Sequence, residues 1–110
     1  MIEPRFKYRL QVEFLKGTSW RLTFPFFFRS DLMDDVIEVP SGFVTNFASV
    51  PYKTDPRPAV IHDYLYSRED VSRKLADEVF LEAMNETKDI NKARRMLRFW
   101  AVRLFGGSHK

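Results

Sequence analysis

A chain of 110 residues, 45% hydrophobic and 30% charged, holds one domain with a modest core and excludes both a two-domain arrangement and a disordered chain. Against 15 Asp and Glu stand 18 Lys and Arg, a formal charge of only +3, so the chain is no polycation and nucleic acid is disfavoured as a partner. The absence of cysteine removes disulfides, thiolate nucleophiles and Cys-ligated metal sites.

Strand periodicity comes first. Phe6, Tyr8, Leu10, Val12 and Phe14 alternate with Arg5, Lys7, Arg9, Gln11 and Glu13, which predicts one half-buried strand. Lys16-Gly17-Thr18-Ser19 is a turn, and Trp20, Leu22 and Phe24 resume the period in a second strand that pairs as a hairpin. The polar stretch from Arg29 to Asp35 ends it. Val36–Val39 is a short strand before Pro40, and Ser41-Gly42 turns the chain into Phe43-Val44. The apolar cluster Phe24 to Phe28 is interrupted by Pro25 and too short for a bilayer, so no membrane span is expected, and the N-terminus carries no signal-peptide pattern.

Prolines 51, 56 and 58 mark an irregular connection, after which the period changes. Ala59 to Tyr66 is predicted as a helix with Pro58 in its first turn, and Ser67 to Val71 as a break. A second helix starts near Ser72, with Leu75, Val79, Phe80 and Ala83 inward and Lys74, Glu78, Glu82 and Glu86 outward. A third runs from about Asn91 to Phe105 and ends at Gly106-Gly107, its basic residues forming a solvated face or, as the alternative, a surface that attracts phosphates of nucleic acid or lipid. The expectation is therefore an α+β domain: an N-terminal antiparallel β-hairpin or small sheet (about residues 5–50) followed by three α-helices (about residues 58–105).

Within the first of these helices, His62 and Asp63 interrupt an apolar run, where polar groups need partners. Spacing of four puts His62 and Tyr66 on one face and offsets Asp63 by about 100°. Asp77 sits at the edge of the apolar stripe of the next helix. If the two helices pack antiparallel, Asp77 meets His62, fixes its tautomer and strengthens it as a general base for water. Asp63 is then left to hold a hard cation such as calcium or magnesium. A purely structural network, with the same residues tying two helices together, is the alternative. Zinc hydrolysis is disfavoured, because His62 and His109 are the only histidines. In the segment from Gly42 to Pro51, the residues Gly42, Phe43, Thr45 and Ser49 are candidates to line a pocket, and Asn46 is a candidate cation ligand.

Four motifs in order, Val39 to Pro51, Ala59 to Tyr66, Ala76-Asp77 and Ala101 to Gly106, resemble a family of small proteins of unknown function encoded by bacteriophages and prophages. That family commonly carries an acidic residue where Asn46 stands. His62-Asp63-x-x-Tyr66 with Ala76-Asp77-x-x-Phe80 also looks like the core of secreted and parvovirus-type phospholipase A-two enzymes. By that resemblance His62 is the base, Asp63 a calcium ligand, Asp77 the orienting acid and Tyr66 its support. The glycine-rich calcium loop of those enzymes has only Gly42 as its counterpart here. The resemblance implies a phage hydrolase of esters or phospholipids, with lipid as a partner and calcium as a cofactor. The rival expectation is a noncatalytic virion, tail-assembly or host-protein-binding component. Either role places the protein in the host cytoplasm or the phage particle.

Overall fold

The computed structural model describes residues 4–46 and 55–87. Six strands precede two helices in the described chain: β1 (Phe6–Lys7), β2 (Val12–Lys16), β3 (Ser19–Leu22), β4 (Phe26–Ser30), β5 (Asp35–Val39), β6 (Val44–Thr45), α1 (Arg57–Ser67) and α2 (Arg73–Thr87). The strands form two antiparallel three-stranded sheets, one in the order β1-β4-β5 and the other β2-β3-β6. This overturns the expectation of a single hairpin or small sheet. The α+β class stands, with two helices among the described residues; the expected third helix and Ser49 lie outside them.

The single N-terminal strand expected over residues 6–14 is cut in two. Tyr8 takes φ +70°, a left-handed conformation that no strand continues through. The chain on either side joins different sheets: Phe6 pairs with Phe28, whereas Val12 pairs with Leu22 and Phe14 with Trp20. Beyond Phe24 the apolar run becomes β4, which continues through Arg29 to Ser30. The polar turn is thereby confined to Asp31–Asp34, closed by the Asp34 amide donating to the Asp31 carbonyl at 3.2 Å.

The core lies between the first sheet and the helices. Phe26, Phe28 and Ser30 alternate inward on β4, opposite Val39, Ile37 and Asp35 of β5. Phe26 and Phe28 are fully buried and meet Val60, Ile61 and Leu65 of α1 and Val79 of α2 in one cluster. Burial of each such side chain contributes about 1.5–3 kcal/mol. α1 begins with Arg57-Pro58, where a missing amide hydrogen costs nothing. Ser72 caps α2: its hydroxyl accepts from the Leu75 amide at 3.0 Å, which fixes the helix start.

Glu82, expected on the solvent side of α2, points inward instead. Its carboxylate accepts from the Ser30 hydroxyl and the Asp31 amide, both at 2.7 Å, and pairs with the Arg5 guanidinium. That guanidinium also lies over the Phe28 ring, 5.0 Å from its centre. One carboxylate thus locks α2 to the end of β4 and to the chain entering β1.

The second sheet reaches the helices through β6. Gly42, at φ +93°, turns the chain so that its amide donates to the Leu22 carbonyl (2.7 Å) and the Phe43 carbonyl accepts from the Leu22 amide (2.9 Å). This delivers Thr45 against α1.

Candidate active site

His62 is only 3% exposed and Asp77 is fully buried, so two ionisable groups sit inside the helical hairpin. Burial of this kind requires mutual pairing. The antiparallel packing of α1 on α2 supplies it: His62 Nε2 lies 3.0 Å from Asp77 Oδ1, and the Tyr66 hydroxyl donates to the same oxygen at 3.0 Å. The one-turn spacing on α1 sets the His62 and Tyr66 rings against each other, tilted at 46° with centroids 4.2 Å apart, while Phe80, one turn along from Asp77, stacks on the imidazole at 4.5 Å.

Where the Asp77 carboxylate accepts, the proton facing it resides on Nε2 and the lone pair of that tautomer on Nδ1. Nδ1 is buried and has no hydrogen-bond partner among the described residues. Tyr66 is held neutral: its pKa is pushed up to about 12, by burial first and then by the hydrogen bond to Asp77 and that carboxylate's charge. Arg73, one turn before Asp77 on α2 with its Nε 3.9 Å from Asp77 Oδ2, acts on Tyr66 in the opposite sense.

Asp63 belongs to a different surface. The 100° offset along α1 turns its half-buried carboxylate to the second sheet, where Oδ2 accepts from the Thr45 hydroxyl at 2.5 Å. Thr45 is itself 3% exposed. Phe43 packs edge-on against Tyr64, with ring centres 5.5 Å apart, and Gly42 forms the turn above it. Asn46 follows Thr45 as an exposed residue. The structure therefore brings together His62, Tyr66 and Asp77 as one group and Asp63 with Thr45 as another, joined through α1.

The chain matches the family model described as Protein of unknown function (DUF1353) over residues 20–102. It belongs to that family. No curated protein and no solved structure matches the chain. The DUF1353 span begins at Trp20 in β3 and takes in both polar groups, so β1 and β2 precede the matched region.

A calcium centre was expected at Asp63 and Asn46. Calcium takes six to eight oxygen ligands, several of them carboxylates. Among the described residues of this DUF1353 domain no three His, Asp or Glu side chains gather to hold a metal. Asp63 is the single carboxylate of the expected pair, and one of its oxygens is engaged by Thr45.

Two participants were not legible as such in the sequence. Phe80 reads as an ordinary core residue of α2, and only its place three residues after Asp77 hints that it covers the imidazole. Arg73 reads as a solvated first-turn residue, although its spacing of four from Asp77 is the signal that brings the two charges within 3.9 Å.

Proposed function

We propose that this DUF1353 domain is a hydrolase of esters, phospholipids among them, in which His62 is the general base and Asp77 its orienting acid. The observation that carries this reading is the one-sided pairing of the imidazole: Nε2 engaged by Asp77, Nδ1 buried and unpartnered. A base needs a lone pair available to water and a carboxylate behind it to stabilise the imidazolium that forms. His62 Nδ1 takes a proton from water as the water oxygen attacks the ester carbonyl. The tetrahedral intermediate then collapses, and the imidazolium returns the proton to the departing alkoxide. Tyr66 stays protonated and holds Asp77 in place through both transfers. Origin in a phage or prophage is the companion proposal, supported by the four ordered motifs, and it sets the host cytoplasm or the particle as the place of action.

The second reading is a noncatalytic virion, tail-assembly or host-binding component. Its support is the depth of the group, since His62 at 3% exposure and Asp77 at 0% also serve as an interhelical tie. Hydrolysis of short nitrophenyl esters and phospholipid vesicles by purified protein, with and without added calcium, separates the two. Under the hydrolase reading His62→Gln folds and loses about 10²–10⁴ in rate. Undiminished hydrolysis by a folded His62→Gln protein sinks that reading, and absence of hydrolysis on every ester leaves the structural tie.

A further inference from the structure

The side of the first sheet turned away from the helices carries an aromatic group that the core does not use. Side chains alternate across β4, so Phe27 lies on the side opposite the buried Phe26 and Phe28. Its row crosses all three strands, from Lys7 on β1 through Phe27 to Glu38 on β5. Tyr8 follows β1 at φ +70° and packs its ring on this same outer side. The Tyr8 and Phe27 ring centres are 5.5 Å apart with planes at 63°, and those of Tyr8 and Phe24 are 5.7 Å apart at 82°. Tyr8 is 55% exposed and Phe24 43%, whereas Phe27 is half-buried. The Lys7 ammonium lies over the Tyr8 ring, 5.5 Å from its centre.

Tyr8 reaches this side only through its left-handed backbone, which residues with a Cβ seldom adopt. In an extended strand it would point away from Lys7, toward the core; the turn at Tyr8 puts both on the outer side. Exposed rings at steep angles to one another, an ammonium drawn to one of them and an exposed carboxylate beside another are the elements that hold an organic cation. We infer that Tyr8, Phe24 and Phe27 bind a quaternary ammonium group, with Glu38 as its counter-charge and Lys7 as the resident cation that it displaces. A quaternary centre suits this group better than a metal ion or a protonated amine. Its methyl groups make apolar contact with the rings, and its charge calls for no hydrogen-bond acceptors, of which the three side chains supply only the Tyr8 hydroxyl. The group lies across the first sheet from the helical hairpin, so the inference does not rest on the hydrolase reading.

Titration of the full chain with choline and with its uncharged carbon analogue, followed by the NMR signals of the Tyr8, Phe24 and Phe27 rings, tests it. Choline binds about tenfold more tightly than the analogue, because only the charged ligand is attracted to the ring faces. Tyr8→Leu weakens choline binding about tenfold, whereas Tyr8→Phe keeps the ring and the affinity. Phe24→Leu, at an exposed position, weakens it in the same sense while circular dichroism reports an unchanged fold. Lys7→Met strengthens it about threefold at low salt, since the resident ammonium no longer competes. Equal affinity for choline and its carbon analogue overturns the inference, as do ring signals that neither ligand shifts. Undiminished binding by Tyr8→Leu and Phe24→Leu overturns it by placing the ligand elsewhere. Phosphatidylcholine vesicles that bind wild type and not Tyr8→Leu support it with a lipid head group as the ligand, and binding of free choline alone supports it with a free solute.

Discussion

Replacement of Asp77 separates a catalytic dyad from a structural tie, because two substitutions at this position break different things. In Asp77→Ala the Nε2–H of His62 and the hydroxyl of Tyr66 both lose their acceptor inside the hairpin, where Asp77 is fully buried. Two lost hydrogen bonds and the stranding of two donors cost about 3–5 kcal/mol. That is a large part of the roughly 5–15 kcal/mol available to a domain of this size. Asp77→Asn behaves differently. An amide oxygen still accepts from both donors, so the bonds survive in neutral form and the cost falls to about 1–2 kcal/mol. What Asn cannot do is stabilise an imidazolium, so under the hydrolase reading hydrolysis falls by about 10²–10⁴ while the protein remains folded. Urea unfolding followed by circular dichroism gives the stabilities, and ester hydrolysis at fixed pH gives the rates. An Asn variant with wild-type hydrolysis refutes the role of the carboxylate in the reaction. An Ala variant as stable as wild type refutes the hydrogen-bonded geometry itself.

Ultraviolet titration into the alkaline range finds one of the four tyrosines ionising near pH 12, and Tyr66→Phe removes that late step. Because the folded value lies above the ordinary one of about 10, the stabilisation from Tyr66 is complete below about pH 10 and is lost as pH rises toward 12, so the urea midpoints of wild type and Tyr66→Phe converge there. Glu82→Ala removes the acceptor of Ser30, of the Asp31 amide and of Arg5 together, and lowers unfolding free energy by about 2–4 kcal/mol in urea. Gly42→Ala costs about 1–2 kcal/mol, wholly from the backbone at φ +93°, since nothing lies within 4 Å of an added Cβ; a neutral result in the same assay places the turn elsewhere in φ.

The helical half was legible because its determinants are local. The Ser72 cap, Pro58 in the first turn and the four-residue spacing of His62 and Tyr66 act within a turn or two of helix, and α1 and α2 follow them. Asp77 was legible for the same reason: a short break between two helices permits an antiparallel hairpin, which brings residues of the two apolar stripes together. The sheets were not, because alternation tells which side chains point inward and says nothing about which strand pairs with which. Residues 6–14 keep perfect alternation across the break at Tyr8, so their division between two sheets left no trace in the pattern. Glu82 was misread by the same local logic. A carboxylate on the polar side of an amphipathic helix reads as solvated unless the distant Ser30 and Asp31 are known to lie against it.

The adjacency of His62 and Asp63 gains its meaning only from the two sheets and the hairpin taken together. Neighbours on a helix face different ways, so α1 acts as a wall with α2 on one side and β6 on the other. His62 is fixed through Asp77, a contact made entirely between helices, whereas Asp63 is fixed through Thr45, a contact that depends on the Gly42 turn and the Leu22–Phe43 bond. His62 and Asp63 are therefore positioned by independent parts of the fold. A disturbance of the second sheet moves Asp63 and leaves the His62–Asp77 bond in place. A disturbance of the hairpin does the opposite. The two polar groups can then be altered separately, because one short helix serves as the wall between them.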